Sequence, residues 1–69
     1  MVEVFKTNVQ KAAQAKRIVA ALLQCFPGCL VNFDLDDCDK ILRVEAPEVI
    51  ACNITAMVNH YGFTCEVLL

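Results

Sequence analysis

Two hydrophobic periods alternate along these 69 residues, and their order leaves few ways for the chain to fold. Residues 2 to 8 alternate with the period of a strand, placing Val2, Val4 and Lys6 on one side and Glu3, Phe5 and Thr7 on the other. A run of strong helix formers opens at Lys11-Ala12-Ala13-Gln14-Ala15-Lys16-Arg17, and Ala15, Ile18, Val19, Leu22 and Phe26 fall on one helical face. Pro27-Gly28 stops that helix. Cys29 to Leu35 reads as a strand with Val31, Phe33 and Leu35 inward and Leu30, Asn32 and Asp34 outward. A polar turn, Asp36-Asp37-Cys38-Asp39, joins it to a second strand from Ile41 to Glu45 with Leu42 and Val44 inward, which makes a β-hairpin. Pro47 fits the first turn of a second helix, with Glu48 at the positive end of the dipole and Ile50, Ile54, Met57, Val58 and Tyr61 as the buried stripe. Gly62 ends it, and Phe63 to Leu69 forms the last strand.

The order is therefore βαββαβ over residues 1–69, with no repeat or linker, and the chain is read as one domain. Right-handed crossovers turn that order into a four-stranded antiparallel sheet with both helices on one face, the α+β ferredoxin-like sandwich. So short a chain buries a modest fraction of its surface and depends on dense apolar content. Here 58% of residues are apolar and the mean hydropathy is +0.53, so apolar side chains are expected on the surface as well.

Charge and length exclude several functions. The net charge is -2 with only 6 Lys and Arg, too few for a phosphate-neutralising stripe, so no nucleic-acid partner is expected. No apolar run approaches the roughly 20 residues that span a bilayer. Met1-Val2-Glu3-Val4-Phe5-Lys6 lacks the basic-then-apolar pattern of a signal peptide. With five cysteines, an odd number, reduced thiols and a cytoplasmic location are expected.

Two turns carry a resemblance. Phe26-Pro27-Gly28 is similar to the Leu-Pro-Gly that ends the first helix of heavy-metal-associated domains, the fold of copper chaperones. His60-Tyr61-Gly62-Phe63 resembles that family's exit from the second helix. The resemblance spans nearly the whole chain and implies a Met-x-Cys-x-x-Cys loop before the first helix, where two thiolates hold Cu(I). Counting back from Pro27 puts Gln10, Ala12 and Ala15 at those three positions, and counting forward from the first strand puts Val9, Lys11 and Gln14 there. No cysteine precedes Cys25, so the family's metal pair is missing in either register.

The other candidate residues are scattered. Cys25 and Cys29 flank the Pro-Gly turn at a spacing outside the C-x-x-C patterns and read as packing residues, while Cys52 is expected to be exposed. Cys38, His60 and Cys65 are the remaining ligand set by which the chain could bind Cu(I) or zinc, which needs about four donors converging at roughly 2.0–2.3 Å. Asp34 to Glu45 fails as a calcium loop because Cys38 and Asp39 stand where an oxygen ligand and a glycine are needed. It reads instead as a solvated turn whose Asp36, Asp37 and Asp39 could meet a basic partner. His60 has no nucleophile or paired carboxylate around it in the sequence and suits the negative end of its helix. If Val2 and Val4 face the helices, Phe5 joins Ile41 in an apolar patch on the open face of the sheet, whereas the family register turns Phe5 inward.

The expectation is a non-enzymatic protein-interaction module, related to heavy-metal-associated domains but without their metal site or any cofactor. It acts through a protein partner or by self-association, at the open sheet face with Phe5 and Ile41, at the exposed last strand or at the acidic turn. The alternative is a metal-trafficking protein using Cys38, His60 and Cys65.

Overall fold

The computed structural model describes residues 1–68, so Leu69, read from sequence as the end of the last strand, lies outside the described residues. The elements are β1 (Val2–Thr7), α1 (Ala12–Cys25), β2 (Leu30–Asp34), β3 (Ile41–Glu45), α2 (Ala51–His60) and β4 (Cys65–Val67). The strands form one antiparallel sheet in the order β2-β3-β1-β4, which is the ferredoxin-like arrangement. β1 and β3 hold the centre, and β2 and β4 are the edges.

Both helices cover the face that carries Phe5, Leu42 and Val44. α1 contributes Ile18 and Leu22 to this core and α2 contributes Ile54 and Val58, all essentially buried. Val9 joins them from the loop after β1 and is also fully buried. The N–H of Lys11 donates to Gln14 Oε1 at 3.3 Å, satisfying one backbone donor at the start of α1. At the end of α2, Gly62 N–H donates to Asn59 O (2.9 Å) and Phe63 N–H to Val58 O (3.3 Å), with Gly62 at φ +92. These two bonds form a Schellman cap, which explains the Tyr-Gly-Phe sequence: glycine takes the left-handed position, and Phe63 folds back on the core beside Val58.

α2 begins at Ala51, four residues after Pro47, and no acidic residue lies in its first turn. Ala46 N–H donates to Met1 O (3.0 Å), and the Met1 amino group donates to Ala46 O (2.7 Å). That pairing holds residue 46 in the ladder, and Pro47 disfavours the helical conformation just before it. Residues 47 to 50 cross from the sheet to the helix layer, with Val49 packed against the core, so Pro47 and Glu48, read from sequence as the first turn of this helix, lie before it. Ile50 and Tyr61 flank the helix at its caps and are exposed rather than part of its buried stripe.

Candidate functional site

β1 decides what the bare face of the sheet presents. One alternating set must face the helices, and it is Glu3, Phe5 and Thr7, with Phe5 at 0% exposure. The reading that put Phe5 in an open-face patch is thus corrected. The alternative would place the Lys6 ammonium under the helices, opposite Ile41 and Glu66 in mid-sheet, at a large desolvation cost. Glu3 lies beyond the last β1–β4 pair, Phe5 with Val67, where it stays partly exposed. Thr7 is buried, and its hydroxyl bonds in both directions: it donates to Lys40 O (2.6 Å) and accepts from Val9 N–H (3.2 Å).

The open face follows from the register. One row holds Val2, Glu45 and Leu30, the next Val4, Arg43 and Asn32, and the third Lys6, Ile41 and Asp34, with Glu66 beside Lys6. Ile41 is on this face as read from sequence, half-buried, at the rim of a shallow depression of about 400 Å3 shared with Val4, Asn32 and Arg43. At the other end Leu30 is 61% exposed and Val2 46%, beside an exposed Met1. Alternation had already put Leu30 outward, and Val2 joins it once β1 is turned over.

The acidic turn is internally bonded. Asp39 N–H donates to Asp37 Oδ1 (2.8 Å), Lys40 N–H to Asp37 O (3.0 Å), and Lys40 Nζ to Leu35 O (2.8 Å). These bonds hold Lys40 at φ +47, a left-handed position that a side chain rarely takes. Asp39 is half-buried, with its carboxylate 3.8 Å from Lys6 Nζ, whereas Asp36 and Asp37 are exposed.

Among the described residues, the one group of three or more Cys, His, Asp or Glu side chains whose donors lie within 4.8 Å of one another is Asp37, Cys38 and Asp39. Both carboxylates there are already engaged, one by the turn and one by Lys6. Cys38, His60 and Cys65 do not converge within the chain. His60 is exposed in the last turn of α2, with its ring edge-on to Tyr61 at 5.4 Å. Cys65 lies on the helix side of β4 opposite Thr7, and partial burial pushes its thiol from 9.0 up to about 11, which disfavours the thiolate. All five cysteines are free thiols; Cys29 is buried, and Cys25, Cys38 and Cys52 are exposed. No family model, curated protein or solved structure matches the chain.

Sequence reasoning missed Val9 and Thr7 as core residues and Leu23 as an exposed apolar side chain on α1. A signal for Leu23 was present: it falls outside the Ala15-Ile18-Leu22 stripe, so an ordinary amphipathic helix would expose it.

Proposed function

We propose that the protein is a non-enzymatic, cytoplasmic interaction module, a relative of heavy-metal-associated domains without their metal pair, which self-associates through the open face of its sheet. The observation that carries this reading is the layout of that face. Arg43 and Glu45 lie two apart on β3, and Val2 and Val4 lie beside them on β1. A two-fold axis lying in the face and crossing β3 between Arg43 and Glu45 sets each charge over its opposite in the second copy. The same axis sets Val2 over Val4 and Leu30 over Asn32, so the centre of the face, on β3 and β1, is complementary to itself in charge and in its apolar contacts. Five free thiols in a small domain suit a reducing compartment. No described helix is long and apolar enough to cross a membrane.

The contact is small. Four strands and five residues give a footprint of roughly 300 Å2 from the usual ~4.8 Å and ~3.3 Å spacings. A standard interface removes about 800 Å2 per partner, so the association is weak and reversible. Sedimentation velocity over a concentration series tests it. The average mass should rise with concentration, fall to one chain in Arg43→Glu, and recover in the double reversal Arg43→Glu/Glu45→Arg. A mass of one chain throughout, or a single reversal without effect, contradicts the proposal.

A further inference from the structure

We propose that the outer edge of β2, with the groove between β2 and α1, takes an extended segment of another protein as a fifth strand. That segment carries apolar side chains at alternate positions and a lysine or arginine where it passes Asp34 and Asp36. The inference rests on the protein-contact reading above and assigns a second surface and a partner chemistry to it.

Among the described residues β2 ends the sheet and pairs only with β3, so half of its backbone N–H and C=O groups face outward. Natural edge strands are usually blunted by shortness, proline or lysine. β4, the other edge, has 3 residues, but β2 has 5, Leu-Val-Asn-Phe-Asp, with neither proline nor lysine. Immediately beside it runs an open groove of about 560 Å3, walled by Val19 and Leu23 of α1 and by Val31, Phe33 and Leu35. Leu23 is 42% exposed there, and the other four are half-buried. An added strand would hydrogen-bond to the edge and point every second side chain into this groove.

Charge selects the occupant. Asp34 and Asp36 line the groove together with one cation, Lys16, and neither is ion-paired within 4.0 Å among the described residues, so the lining carries more acid than base. A second copy supplies no cation: the two free edges, Leu30–Asp34 and Cys65–Val67, contain no lysine or arginine, and each carries an acid. Antiparallel pairing of β2 with itself about Asn32 sets Asp34 against Leu30 and Asp36 against Gly28 of the other copy. That register leaves both aspartates without a cation opposite them, and a foreign segment with a basic residue supplies one.

The test titrates the isotope-labelled chain with a short blocked peptide of alternating valine and threonine carrying two arginines at one end, and with the same peptide carrying glutamates instead. The arginine peptide should shift the amides of β2 and the methyls of Val19 and Leu23, slow hydrogen exchange along Leu30–Asp34, and bind at least about tenfold more tightly than the glutamate peptide. Leu23→Asp, at an exposed position, and Asp34→Asn should each weaken it. No shift at saturating peptide, equal binding of both peptides, or shifts confined to β4 or the open face overturns the proposal. If the peptide fails while wild-type chain still self-associates, this docking site falls and the contact reading stands. If neither occurs, both fall.

Discussion

Replacing Thr7 with valine removes one oxygen from the place where β1, the loop into α1 and the β2–β3 turn meet. The hydroxyl donates to Lys40 O at 2.6 Å and accepts from Val9 N–H at 3.2 Å, and Thr7 and Val9 are both buried. Valine has nearly the same shape, so the change isolates the two bonds from packing. Leaving the Val9 N–H buried without a partner costs about 1–3 kcal/mol, while the half-exposed Lys40 carbonyl can turn to water and adds less. The extra buried methyl returns at most ~0.8 kcal/mol. The net loss is about 1–2 kcal/mol, a large part of the ~3–10 kcal/mol expected for a domain of this size at roughly 0.05–0.15 kcal/mol per residue. Thr7→Ser keeps both bonds and loses only the methyl, so it should be milder, at about 1 kcal/mol or less. Urea unfolding followed by circular dichroism reads the midpoints, with an unchanged slope showing that stability alone has moved. Faster amide exchange at Val9 should accompany the loss in Thr7→Val alone. A valine variant as stable as wild type, or less destabilised than the serine variant, would refute the assignment of both bonds to this hydroxyl.

Two further outcomes follow from the same placement of side chains. Phe5→Ala should cost about 3–5 kcal/mol as a core truncation, whereas Val4→Ala, one residue away on the open face, should cost less than about 1 kcal/mol; the reverse order in chemical denaturation would put Phe5 back on the bare face. Cys65 gives a pH signature: the folded thiol keeps its proton up to about 11 whereas the unfolded one ionises near 9.0, so the folded state binds that proton more tightly. Its contribution is complete below pH 9 and is lost as pH rises through 11, so the stability gap between wild type and Cys65→Ser should change across that window. A gap that stays flat there contradicts the burial of this thiol.

The order of elements could be read from the chain because each segment kept one hydrophobic period, and because Pro27-Gly28 and Tyr61-Gly62-Phe63 punctuate the helices. The second of these turns is a complete Schellman cap, a local motif that needs no tertiary information. The orientation of β1 was not legible. Both of its faces offer apolar side chains, and the choice was made by groups distant in sequence: Lys6 must stay in water, and Thr7 finds Lys40 across the sheet end. The start of α2 was read too early, at Pro47 and Glu48: residues 47 to 50 first cross to the helix layer, where Val49 packs on the core, and the helix begins only at Ala51. The β2–α1 groove depends on which strand ends the sheet and where α1 lies above it, so single-residue periodicity could not reveal it. Ile41 and the acidic turn were placed correctly by alternation and turn chemistry, because those depend only on neighbours in the chain.

The measurement that bears most directly on a domain working by contact rather than by metal is a native mass spectrum of the reduced protein, isolated without chelator and sprayed over a range of concentrations. The expected spectrum shows the bare chain together with a two-copy species that grows with concentration, both free of metal increments. A one-copy species alone, carrying one copper or zinc per chain that disappears in Cys38→Ser, would contradict the central claim and return the protein to metal handling.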